Sequence, residues 1–438
     1  MSLTAALAGR IVHSQPDAAA RDHAREGVRD FLAVTWPVLQ GHVPDSGLPA
    51  LRTLYGDGSV RSQALLLGYA GHALDYDDFH ADFRGHPSVV ILPALFAWHH
   101  QHPGASVEQF CDAYAIGVET AGRLGLAVSQ QHYALGYHNT ATLGTIAAAA
   151  ALARFLDLTE AETATLLGIA ATQASGLRAQ FGSLVKPLHA GFAAERAVTA
   201  AQLTLAGIDG RQSGVIDAFL DAGSRGEAQP EKLLENWGAP WRISAPGLEF
   251  KPFPTCAGTH SAAEAARILR RQWLAGGRPL EALLDQIADI TVAFPPGGDI
   301  AASVRVPTTG IEARFSLEYV IAAMLIYGDL RLQDFAEGDL NPGIMPLAAR
   351  VRRTPDSTAP PDALNPALRF HDVTLSLQDG TTLHQRRTRQ ESLAEGVDVG
   401  GKLRAALRGE APALLEQSAL RSTADLQAVG DALLQGIA

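Results

Sequence analysis

Cysteine is scarce in this chain: its 438 residues hold two, Cys111 and Cys256. Two thiols cannot build a disulfide framework. They also fall short of the roughly four thiolates that usually hold an iron–sulfur cluster. Positive charge is in the minority, with 35 Lys and Arg against 46 Asp and Glu and a net charge of −11. No nucleic-acid partner is expected, because phosphate binding needs basic patches. Long apolar runs are also lacking. Met1 to Gln15 shows no apolar segment behind a basic start, so no secretory signal is expected. Thr140 to Leu152 is apolar but Ala-rich, broken by Thr and Gly, and shorter than the ~20 residues of a membrane span. No membrane partner is expected, and a cytoplasmic location follows as the default.

What the chain does have is apolar bulk, 47% of residues against 18% charged, over a length too great for one core. Two domains are expected. The first half reads as helices. Arg25–Val34 carries apolar residues at helical spacing, Ser106/Gln109 and Thr159/Glu162 are capping-box pairs, and Pro187 opens a run that Gly207 stops. Small residues dominate, as in AAAAALA at 147–153, which suits tight helix crossings. After Gly247 the pattern changes. Ile290, Val292 and Phe294 alternate, as do Val373, Leu375 and Leu377 ahead of Asp379–Gly380, which predicts a hairpin. Helices near Ala262–Trp273 and Leu317–Ile326 accompany these strands, 354–367 is a Pro-rich loop, and the tail from Lys402 is helical again. The expected fold is mainly α: a large all-helical domain, 1–246 and 403–438, with an inserted smaller α/β lid, 247–402.

Four polar clusters interrupt the apolar segments. HALDYDDFHADFRGHPS (72–88) holds Asp75, Asp77, Asp78, Asp82, His72, His80, His86 and Arg84. HYALGYHNTATLG (132–144) holds His138, KPLHAG (186–191) holds Lys186 and His189, and KPFPTCAGTHSAAEAA (251–266) holds His260. In the last, Ser261 and Glu264 suggest a capping box, which places His260 just ahead of a helix start. Lys186 stands in the same relation to the helix opened by Pro187. Helix starts attract anions, so two of them with basic side chains could cradle a polycarboxylate. Each cluster has a plainer reading. The Asp-rich segment could be a solvated turn, or His72, Asp75 and a later His could ligate zinc or iron. His138 and His260 could be satisfied core histidines, Lys186 a surface lysine and Cys256 a packing residue.

The clusters in this order resemble the MmgE/PrpD family, which includes 2-methylcitrate dehydratase, cis-aconitate decarboxylase and iminodisuccinate epimerase. The likeness runs through HALDYDDFH…GHPSVVILPAL, GYHNTATLGT, KPLHAGFAA, FKPFPTCAGTH and ARFSLEYVIAAMLIYG. It implies a helical domain and a lid, a homodimer, and catalysis without metal or organic cofactor. It places catalytic residues at Asp75, His86, His138, Lys186 and His260, and substrate contacts at Arg84, His189, Arg314 and Tyr319. Tyr137-His138-Asn139 and Phe79 depart from the family's usual residues and alter the pocket wall. The implied chemistry is proton abstraction beside a carboxylate of a small di- or tricarboxylate. His138 is the first candidate for the base and His86 the second, with Lys186 and the helix start near His260 stabilising charge. A dehydratase is expected first, with an epimerase or a decarboxylase as alternatives on the same scaffold. A non-catalytic small-anion binder and a metal hydrolase are the rivals outside the class.

Overall fold

The computed structural model describes residues 2–362, 364 and 368–437. The chain folds as two compact units. One comprises the residues up to Ala73, Asp77–Phe250 and those from Asp398 on; the other comprises Leu74–Tyr76 and Lys251–Val397. The chain therefore crosses between units at 250–251 and 397–398, and the three residues 74–76 group with the second unit.

The first unit is helical. Its helices start where side-chain oxygens meet free N–H groups: Asp17 caps Ala18–Leu39, Ser59 caps Val60–His72 and Ser106 caps Val107–Ala127. Thr159 and Glu162 form the full reciprocal box. Gln109 does not reciprocate; its amide goes to the Phe155 carbonyl, 3.0 Å away. The helix Val185–Leu205 packs against both Val60–His72 and Asn139–Phe155. Glycine sets how closely two of them approach. A Cβ on Gly68 would lie 2.9 Å from the Gly191 Cα, and one on Gly191 would lie 2.5 Å from the Leu65 carbonyl oxygen. The C-terminal segment returns to this unit. Val399–Leu407 packs on Ala18–Leu39, where Lys402 and Asp30 form a buried ion pair at 2.7 Å. Among the described residues no helix is long and apolar enough to cross a membrane.

The second unit carries a four-stranded mixed sheet in the order β2-β1-β3-β4. The strands are β1 Ile287–Phe294, β2 Val351–Pro355, β3 Phe370–Leu377 and β4 Thr382–Thr388. The expected hairpin is β3–β4, turning at Gly380 with φ 86°, and β1 pairs antiparallel with β3. The parallel edge strand β2 was not expected; VRRTP has a single buried residue, so it lacks the alternation that marks a half-buried strand. It also takes the first residues of the Pro-rich stretch, of which 363 and 365–367 lie outside the described residues. Ile290, Val292, Phe294, Val373 and Leu375 share one core with the helices His260–Ala275 and Leu317–Tyr327.

The capping box at Ser261 and Glu264 is not formed. The helix begins at His260 itself, with Thr259 as an N-cap whose hydroxyl turns back to the Cys256 carbonyl instead of capping. Ser261 Oγ bonds His371 Nδ1 of β3 at 2.7 Å, and Glu264 accepts from Arg387 Nε at 2.8 Å. Partners from the sheet have taken both side chains that the local motif would have used.

Candidate active site

Four histidines and one lysine of the first unit converge on a buried cluster. Each is set by an element boundary. His72 ends the Val60–His72 helix, His86 lies just before Ser88–Gln101, and His138 is the N-cap of Asn139–Phe155. Lys186 and His189 lie one turn apart inside Val185–Leu205, so Lys186 is within the helix rather than ahead of it. The Gly68–Gly191 contact brings the His72 and Lys186 helices close enough to bond.

The cluster is ordered by one carboxylate. Asp77 lies 2.9 and 3.0 Å from His72 Nδ1 and 3.1 Å from His86 Nδ1. His86 Nδ1 also faces the Asp78 carbonyl at 2.7 Å. These oxygens only accept, so both imidazoles carry their proton on Nδ1. That leaves His72 Nε2 as an acceptor, and the Lys186 ammonium donates to it at 2.9 Å. The result is a relay from Asp77 through His72 to Lys186. All three are buried: Asp77 and His72 are 1% exposed and Lys186 4%. His138 Nδ1 meets His189 Nδ1 at 3.1 Å. Phe181 closes one end, edge-on to His138 at 5.0 Å with the Lys186 Nζ 5.4 Å from its centroid. Phe79 stands edge-on to His86 at 5.8 Å.

Burial and charge set the protonation states. Burial pushes His72 down to about 3, outweighing the attraction of Asp77. Burial, with the Lys186 charge next, holds His138 well below the ordinary histidine value and His189 at about 4. Asp77 goes the other way. Burial favours its neutral form, but its interactions and hydrogen bonds with the His72 and His86 imidazoles outweigh it and hold the carboxyl well below the usual range. Its neighbour Asp78 is pushed up to about 8 by burial and then by Asp30. Adjacent carboxyls thus stand in opposite states at neutral pH.

His72, Asp77 and His86 offer ligand atoms within 4.8 Å of one another, a set a metal could use. As they stand, the His72 Nε2 lone pair is taken by Lys186 and both Nδ1 atoms carry protons toward oxygen. An ion bound through His72 Nε2 would have to displace the Lys186 ammonium.

The structure brings His86, His138, Lys186 and His189 together in the first unit. Arg84, half-buried with φ 52°, belongs to the turn that precedes His86. The remaining expected residues belong to the second unit. Asp75, with φ 51°, pairs with Lys251 at 2.9 Å. His260 Nε2 bonds the Thr255 carbonyl at 3.1 Å, and Arg314 Nε donates to the Phe335 carbonyl at 2.7 Å. Tyr319 is fully buried, its hydroxyl accepting from Asn341 N at 3.2 Å. Sequence reasoning did not assign roles to Asp77, Lys251 or Phe181, and placed His72 only as a possible metal ligand. The His-x4-Asp spacing of HALDYD is the signal that was there to find, since a helix-end histidine can turn back on a residue five positions on.

Comparison with known proteins gives a consistent picture. Residues 5–226 match the MmgE/PrpD N-terminal domain and residues 253–392 the MmgE/PrpD C-terminal domain. The chain is similar to cis-aconitate decarboxylase of Homo sapiens, 29% identical over 76% of this chain and 70% of that one. It is 30% identical to the Mus musculus protein of that name, over 74% of this chain and 66% of that one. It is 27% identical to cis-aconitate decarboxylase of Aspergillus terreus (strain NIH 2624 / FGSC A1156), over 71% and 66%.

Proposed function

Since the chain belongs to the MmgE/PrpD family, we propose that it is a lyase that releases carbon dioxide from a small unsaturated polycarboxylate of the cis-aconitate kind. The observation that carries this is the buried Lys186 ammonium, bonded to His72 and flanked by His138 and His189. The names of the similar proteins move the choice from dehydration, expected first, to decarboxylation.

In such a step the bond to one carboxylate carbon breaks and that carbon leaves as carbon dioxide. Its electron pair forms a new double bond, and the pair of the old double bond moves to the carbon beside a second carboxylate. That carbon then takes a proton. Negative charge builds on the second carboxylate, and a fixed cation in a water-poor site stabilises it. Lys186, an ammonium with three donors, is the group we assign to this. His138 or His86 supplies the proton. Burial holds His138 neutral in the unliganded protein, and an arriving polyanion reverses that preference. Asp75, His260, Arg84, Arg314 and Tyr319 enter the proposal by family resemblance alone. A homodimer is proposed on the same ground, together with the small-residue helices.

The test is proton NMR of the purified protein in deuterated water with cis-aconitate and with 2-methylcitrate. Consumption of cis-aconitate, with bicarbonate formed and one carbon-bound deuterium in the product, is expected. Untouched cis-aconitate beside dehydrated 2-methylcitrate would overturn decarboxylation in favour of dehydration.

A further inference from the structure

We propose that Tyr114, which lies outside the imidazole cluster, is a positioning residue: through Ser88 and Asp78 it holds His86 in the Nδ1–H tautomer, leaving Nε2 as the nitrogen that takes and gives the reacting proton. The kinetic part rests on the proposed reaction; the tautomer does not.

Tyr114 lies midway along Val107–Ala127 and is fully buried. Burying a hydroxyl in a core costs free energy unless it is hydrogen-bonded, so a purely packing residue here would do better as Phe. Space is kept for this hydroxyl. A Cβ on Gly27, in the helix Ala18–Leu39, would come 2.4 Å from Tyr114 Oη. Tyr114 Oη bonds Ser88 Oγ, and Ser88 Oγ bonds the Asp78 carboxyl. Ser88 N lies 3.4 Å from the same carboxyl. Ser88 is two residues beyond His86, and the His86 ring returns to the Asp78 carbonyl at 2.7 Å. Asp78 therefore grips the 86–88 segment twice, by its side chain at Ser88 and by its backbone at the imidazole. A third hold comes from Thr140 Oγ1, which accepts from His86 N at 3.1 Å.

The neutral state of Asp78 suits this task. A neutral carboxyl beside Ser88 and Tyr114 adds no second charge next to Asp77, which stays ionised to orient His72 and His86. The pair of adjacent carboxyls divides the work, one carrying charge and the other carrying geometry.

The variants are Tyr114→Phe, Ser88→Ala and Ser88→Thr, compared with wild type. The first readout is the pair of His86 imidazole nitrogen shifts, taken without substrate. Wild type should show the protonated nitrogen at Nδ1, and Tyr114→Phe and Ser88→Ala a mixture of tautomers. The second is turnover of the NMR substrate. Tyr114→Phe should lower kcat by about tenfold with KM within about twofold, and Ser88→Thr, which keeps the hydroxyl, should restore most of what Ser88→Ala loses. An Nε2–H tautomer in wild type overturns the proposal, even if no substrate is found. So does a folded Tyr114→Phe enzyme with unchanged tautomer and kcat. If Tyr114→Phe fails to fold, Ser88→Ala against Ser88→Thr decides on the same criteria.

Discussion

Replacing Asp77 with Asn tests the relay directly. The substitution conserves shape but turns one acceptor into an NH2 donor. Both carboxylate oxygens lie within 3.0 Å of His72 Nδ1, so either amide orientation sets an NH2 against that nitrogen. The remaining amide oxygen still accepts from Nδ1–H, but the charge that fixes this tautomer is gone, and the Nε2–H form, now open to His72, faces the Lys186 ammonium 2.9 Å away. Two donors cannot bond, so in that form Lys186 loses its hydrogen bond to His72 and is held less firmly. Removing one partner of a buried charged network costs about 3–5 kcal/mol of stability. A charge-assisted hydrogen bond is worth about 1.5–3 kcal/mol, so kcat should fall roughly 10- to 150-fold. Chemical denaturation followed by circular dichroism reads the first figure and the decarboxylation assay the second. A variant with wild-type turnover and a stability loss under about 1 kcal/mol would refute the relay, since only a solvated Asp77 could be so dispensable.

Three further outcomes are expected. Gly68→Ala should cost about 1–3 kcal/mol by overpacking and lower turnover as well, because the new methyl pushes the His72 and Lys186 helices apart; unchanged stability in urea titration would contradict the close crossing. Stability should rise between about pH 4 and the ordinary histidine value, because His72, His138 and His189 stay neutral when folded but take protons when unfolded. It should then decline toward pH 8, because folded Asp78 keeps a proton that the unfolded chain has released; a denaturation series with maximal stability at pH 4 would contradict the rise, and one still rising from pH 7 to 8 would contradict the decline. Binding of a polycarboxylate at pH 7 should take up protons as His138 and His189 become charged, read by calorimetry in buffers of different ionisation enthalpy; proton release on binding would contradict it.

The mainly helical first half, the β3–β4 hairpin and the polar clusters were legible in the sequence because each is written locally. Thr159 and Glu162 cap a helix whatever else happens, Asp379–Gly380 turns a hairpin, and charged residues inside apolar segments stand out. The family was legible for the same reason, as an order of short motifs. Tertiary structure decided the rest. Strand β2 exists because β1 offers it a parallel edge, not because VRRTP alternates. The Ser261–Glu264 cap gave way to His371 and Arg387, which no local rule could place beside it. Most of all, the protonation of the site was not in the sequence. His72 and Lys186 are 114 positions apart, and whether a histidine is neutral, or which of two adjacent aspartates keeps its charge, depends on burial and on charges brought close by folding. Residue types name the groups available for proton chemistry; the Gly68–Gly191 crossing and the dry interior around Asp77 determine what those groups are able to do.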